Sequence, residues 1–284
     1  MSWEKILFIG VILVSCVNSA YADLNLDRLS DQDIAGVKNL IKKLEPFIHK
    51  RDKTKDLAKL TFDELYSPLT PEEQAFLKSF QSVDAKKLGV KIPYRGIATG
   101  KEDLVLIVGQ KVKVRDHPPS KGPDGRKRDS AALRKKEGTN NDQRELAPQF
   151  LPRPVFAKYT AMMEAMKKDL GKKLLVESGY RSSAYQLYLF VYYLQNHKYS
   201  IRETVKFVAL PGYSEHGAPA FQAIDFINQD GFNGEDNTSE FDTLPEFAWL
   251  QKHAKSFGFV LSYPKNGPAG ITYEPWHWRC EVAK

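Results

Sequence analysis

Gly212-Tyr213-Ser214-Glu215-His216, running on to Ala223-Ile224-Asp225-Phe226-Ile227, and Tyr273-Glu274-Pro275-Trp276-His277-Trp278 lie in the C-terminal third of the chain. Together they supply two histidines, an aspartate and a glutamate three residues ahead of the second histidine. Two imidazoles and a carboxylate are donors that a hydrolytic zinc site uses, with a fourth position left for water. A nearby glutamate can take the proton of that water as it attacks and pass it to a leaving amine. Pro275 argues against a helix interior here, so Glu274 and His277 are expected to meet through an extended segment or a tight turn. The helical zinc motif, with histidines four residues apart, is excluded by the same spacing.

Working outward, the chain from Pro152 reads as a folded unit. Phe156, Tyr159, Met162, Met163 and Met166 mark one helix face, with the methionines as core filler. Gly171 closes that helix and Leu174-Leu175-Val176-Glu177 follows as a strand. Ser178-Gly179-Tyr180-Arg181-Ser182 is a turn before an aromatic-rich helix over 184–195. Residues 223–227 read as a strand and Phe241 to Phe257 as mainly helix. Phe259-Val260-Leu261 and Gly270-Ile271-Thr272-Tyr273 read as short strands.

Upstream, residues 23–89 read as a mainly helical N-terminal extension. Ile34, Val37, Leu40, Ile41 and Leu44 recur at helical spacing, and Thr70-Pro71-Glu72-Glu73 forms a capping-box start. Residues 90–151 hold two strand-like runs, Leu104–Val108 and Lys111–Arg115, expected to pair as a hairpin, and then a basic loop. The net charge of +7 is local: Lys111 to Lys136 alone holds ten Lys/Arg against three Asp/Glu. No aromatic residue is interleaved there to stack on bases, so a solvated loop is expected, not a nucleic-acid surface.

Residues 1–22 read as a signal peptide: Lys5, an apolar run over 6–17 too short to span a bilayer, and Ala20-Tyr21-Ala22 as a cleavage site. The expected location is therefore the periplasm or cell envelope. Leu13-Val14-Ser15-Cys16 offers the alternative of a lipoprotein anchored through Cys16. Cleavage leaves Cys280 as a lone thiol, with packing expected of it over metal binding. No other stretch is apolar and long enough to be a transmembrane helix, and the sequence gives no oligomeric state.

Four ordered motifs resemble one family. Ser178-Gly179-Tyr180-Arg181-Ser182 with Gln186, Pro211-Gly212-Tyr213-Ser214-Glu215-His216, Trp249-Leu250 with Gly258-Phe259, and Tyr273 to Arg279 together resemble the D-alanyl-D-alanine carboxypeptidases of the VanY type. These are zinc peptidases of bacterial cell-wall metabolism that share a fold with lysostaphin-type peptidases and the hedgehog signalling domain. The resemblance implies an α+β catalytic domain over 152–284, with a central antiparallel sheet flanked by helices and carrying one Zn2+ ion. It implies His216, Asp225 and His277 as metal ligands, Glu274 as catalytic base and Arg181 as the group stabilising the oxyanion. Arg181, Ser214, Gln186, Tyr180 and Trp276 are implied or expected near the substrate. The implied activity is a metallo-carboxypeptidase hydrolase acting on D-alanine-terminated peptidoglycan stem peptides or muropeptides. An L,D-carboxypeptidase, a cross-link endopeptidase and a non-catalytic zinc-containing cell-wall binding module are the alternatives. One departure stands out: the segment between His216 and Asp225 is two residues longer than the family pattern, Gly217 follows the histidine directly, and Phe221 takes a usual glycine place.

Overall fold

The computed structural model describes residues 24–114, 120–121, 127–128, 143–218, 220–234, 238–267 and 272–281. The expected signal peptide over residues 1–22, most of the basic stretch, Pro219 and residues 270–271 lie outside these.

Helix α1 (Asp31–Lys53) starts where the Ser30 hydroxyl accepts the Asp33 amide, and it buries Val37, Leu40, Ile41, Leu44 and Ile48. Two helices follow, α2 (Phe62–Tyr66) and α3 (Pro71–Gln81), each opened by a capping box, Thr61 with Glu64 and Thr70 with Glu73. Strands β1 (Leu104–Ile107), β2 (Lys111–Lys113), β3 (Ser120–Lys121), β4 (Lys127–Arg128), β5 (Gln143–Glu145) and β6 (Gln149–Pro152) come next. The expected hairpin is not formed. β1 pairs antiparallel with β6 and β2 with β5, so the two runs take distant partners in the chain and not each other. Gly109-Gln110 lets them diverge: the Gln110 side chain bonds both the amide and the carbonyl of Val176.

Helix α4 (Arg153–Leu170) ends at Gly171 in a left-handed conformation and leads into β7 (Leu174–Ser178). Then come α5 (Ser183–Tyr193), α6 (Ile201–Thr204), β8 (Phe221–Asn228), α7 (Thr238–Phe241), α8 (Pro245–His253), β9 (Phe259–Leu261) and β10 (His277–Glu281). Residues 272–274 are not a strand, contrary to the sequence expectation; Glu274 instead bonds back through its amide to the Tyr263 carbonyl.

β7, β8, β10 and β9 form a four-stranded antiparallel sheet in that order. Side chains alternate across it. Val176, Ile224, Phe226, Trp278 and Cys280 face one way into a core shared with Met162, Phe247 and Leu250 of the covering helices. Cys280 therefore points away from the face that holds His277, which leaves it a packing role. The opposite face carries Asp225, His277, Arg279 and Phe221.

A second core joins the two halves of the chain. Val37, Leu40, Leu44, Phe76, Leu77 and Phe80 pack in one cluster with Leu187, Phe190, Leu194 and Ile201. The N-terminal helices thus complete the packing of α5. Among the described residues no helix is long and apolar enough to cross a membrane.

Candidate active site

β8 and β10 pair so that Asp225 lies directly opposite His277, and Ser178 of β7 flanks Asp225 on its other side. This register puts both side chains on the same sheet face. A short turn, Glu215–Gly217, sits over that face, capped by the Ser214 hydroxyl accepting the His216 amide at 3.3 Å. Its position is fixed from below: the Arg181 amide donates to the His216 carbonyl at 3.0 Å. Ligating atoms of His216, Asp225 and His277 lie within 4.8 Å of one another.

Tautomers follow from the outer partners of each ring. His216 Nδ1 lies 2.8 Å from the Gly179 carbonyl, which can only accept, so Nδ1 carries the proton. Nε2 then turns a lone pair toward Asp225 Oδ2 at 3.1 Å. His277 Nε2 lies 3.2 Å from Glu215 Oε2 and Nδ1 lies 2.8 Å from Asp225 Oδ1. Two acceptors that close need a cation between them. Without a metal, protons serve: burial would lower the His277 pKa, but the charge and hydrogen bond of Asp225, with Glu215 and Glu274, push it up to about 10. Burial, with Arg181 adding to it, holds His216 below its ordinary value against the pull of Asp225. Burial also opposes ionisation of Asp225, yet the two histidines hold its carboxyl well below the usual range. The donor set and the outward commitment of one nitrogen in each ring fit a divalent cation.

Glu274 reaches this cluster through a tight turn. The His277 amide donates to the Glu274 carbonyl at 3.2 Å, and Glu274 Oε2 stands 3.8 Å from His277 Nδ1. Its carboxylate is about a third exposed, open to an incoming water. The ring of Tyr263 lies 4.8 Å from that of His277. Arg181 has its Nε buried without a hydrogen-bond partner among the described residues.

Two residues expected at the substrate, Tyr180 and Gln186, are held elsewhere, and a third, Trp276, is half-buried. Tyr180 is 2% exposed, with its hydroxyl between Glu102 and the Gly100 amide, so it anchors the segment before β1 and does not wall a pocket. Gln186 is equally buried and donates to the Ala209 carbonyl. The Trp276 indole packs against Gly234 and the core, so close that a Cβ on Gly234 would fall inside it. Ser214 caps the ligand turn, as given above.

Sequence reasoning assigned no role to Glu215, although it stands next to His216. It is the acceptor for His277 Nε2, it is 1% exposed, and Arg95 and Arg279 face its other oxygen. Burial would raise its pKa, but the His277 hydrogen bond and charge, with Arg279, hold it at about 2.

The family model of VanY, D-alanyl-D-alanine carboxypeptidase, matches residues 149–282. This segment is similar to the VanY family. YodJ of Bacillus subtilis (strain 168), which carries a carboxypeptidase name, is 36% identical over 42% of this chain and 41% of its own. The VanXYC dipeptidase and carboxypeptidase of Enterococcus gallinarum is 33% identical over 39% of this chain and 57% of its own. The LdcB LD-carboxypeptidase structure matches 46% of this chain and 59% of its own at 29% identity, with a TM-score of 0.39. The chain thus spans about half the length of the relatives it matches. The VanY segment contains the sheet, the ligand-bearing turn and Glu274, whereas the N-terminal helices lie outside it.

Proposed function

We propose that the protein is a zinc-dependent carboxypeptidase that removes D-alanine from peptidoglycan stem peptides ending in D-alanyl-D-alanine. The observation carrying this is the convergence of His216, Asp225 and His277 on one sheet face with the Glu274 carboxylate beside them. The VanY match over the same residues supports the substrate class.

His216 Nε2, Asp225 and His277 Nδ1 would hold the ion. Bound zinc supplies a water of lowered pKa and polarisation of the scissile carbonyl. Glu274 accepts the proton of the attacking water on its carboxylate and later delivers it to the nitrogen of the departing D-alanine. Arg181, whose Nε has no hydrogen-bond partner among the described residues, would stabilise the charge that builds on the carbonyl oxygen. Gly179 and Glu215 keep the outward ring protons in place, so the inward nitrogens stay aimed at Asp225. A substrate outside the cytoplasm agrees with the export leader read over residues 1–22.

The test is product analysis. The zinc-loaded protein is incubated with a pentapeptide stem ending in D-alanyl-D-alanine, and products are identified by mass. Release of one D-alanine, absent in Glu274→Gln, is expected. Release only from a tetrapeptide stem, or internal cleavage of a cross-linked dimer, would replace the proposed bond with the L,D or endopeptidase alternative.

A further inference from the structure

A strap of chain ahead of β1 crosses the rim of the site. It is pinned on both sides of Arg95: the Arg95 amide donates to the Gly212 carbonyl at 2.7 Å, and Ala98 exchanges two hydrogen bonds of 2.9 Å with Ser183. Tyr94 packs edge-on to Tyr213 with ring centres 5.5 Å apart. Arg95 Nη2 reaches Glu215 Oε1 at 2.9 Å, while Arg279 Nη1 stands off at 3.8 Å from the same oxygen. Both guanidiniums lie against the ring of Phe221, at 4.9 Å and 5.8 Å. Phe221 is the residue that departs from the family's glycine, so this chain's own departure supplies the platform on which the arginines rest.

We propose that Arg95 is a positioning residue for the metal site: it clamps Glu215 so that this carboxylate holds the Nε2 proton of His277 and leaves Nδ1 free to ligate. The inference rests on the zinc reading above. A carboxylate buried as deeply as Glu215 needs a counter-charge on each oxygen. Oε2 has His277. Of the two arginines, only Arg95 makes a charge-assisted hydrogen bond with Oε1. Without it, the carboxylate would turn toward Arg279 and draw away from the imidazole. Because Arg95 precedes the VanY segment, the N-terminal region would then contribute directly to the metal centre.

Metal-free full-length protein is titrated with zinc against a competing chelator, and cobalt is substituted to record its visible spectrum. Arg95→Met keeps the aliphatic stem over Phe221 and removes the charge. We expect it to lose zinc affinity about tenfold, the scale of an outer partner of a ligating histidine, and to alter the cobalt spectrum. Arg95→Lys is expected to recover most of the affinity. In a Glu215→Ala background Arg95→Met should cause no further loss. Wild-type affinity and spectrum in Arg95→Met, or losses that add in the double variant, would overturn the clamp. If Arg95→Met does not fold, Glu215→Gln in the intact strap is read the same way, and unchanged zinc affinity there overturns it too. A wild-type protein that takes up no zinc would instead overturn the metal reading itself, before any variant is compared.

Discussion

At Glu274 two demands meet: the carboxylate has to be close enough to His277 to serve the same reaction, yet open enough to receive water. Its 3.8 Å distance and partial exposure satisfy both. Glu274→Gln keeps the shape and removes the proposed base, so turnover should fall about 100- to 10,000-fold. Zinc content should stay at the wild-type level by metal analysis; loss of zinc would make Glu274 a ligand instead. His277 gives a prediction in pH. Its pKa is raised from 6.5 to about 10 in the metal-free fold. A raised value means the folded state holds the proton more tightly, so this stabilisation is complete below pH 6.5 and drains away toward pH 10. The melting temperature of metal-free protein should decline across that interval, and the decline should vanish in His277→Gln. The ligand candidates were legible because each sits in a short local motif. The role of Glu215 was not, because it depends on Arg95, a residue 120 positions away with no motif around it.

At the scale of elements, the site is a matter of register. Pairing His277 with Asp225 puts them on the same face, and a slip of one residue would send Asp225 into the helix-covered core. The two residues added between His216 and Asp225 are absorbed before β8 begins, where Ala218 bridges to Phe221. An even insertion confined to a turn leaves the strand face unchanged, because strand sides alternate with period two. Gly217 makes the close approach of the turn to the loop at Arg181: a Cβ there would clash with the Arg181 carbonyl oxygen. Gly217→Ala must push the backbone apart, at a cost of about 1–3 kcal/mol. Denaturant unfolding of the metal-free protein should show that loss; unchanged stability would mean the turn has slack. The missed strand pairing has a physical reason as well. Leu104–Ile107 and Lys111–Lys113 have strand character, but partner choice is set by the long-range Gln110–Val176 contact, which local alternation does not encode.

For the whole molecule, the N-terminal helices and the VanY segment share a core. Leu187, Phe190, Leu194 and Ile201 are fully buried in one cluster with side chains of the N-terminal helices. Exposing a handful of such side chains, at about 1.5–3 kcal/mol each, would consume most of the roughly 5–15 kcal/mol that holds a domain folded. A chain beginning at residue 104 should therefore lose cooperative thermal unfolding, whereas a native-like transition would show the helices to be dispensable. D-Alanine release from the pentapeptide stem is measured while zinc is added stepwise to chelator-stripped, full-length protein. Activity that starts near zero and saturates at about one equivalent is predicted from the one three-ligand cluster among the described residues. Full activity in the stripped protein, or saturation with bound zinc and no release, would contradict it.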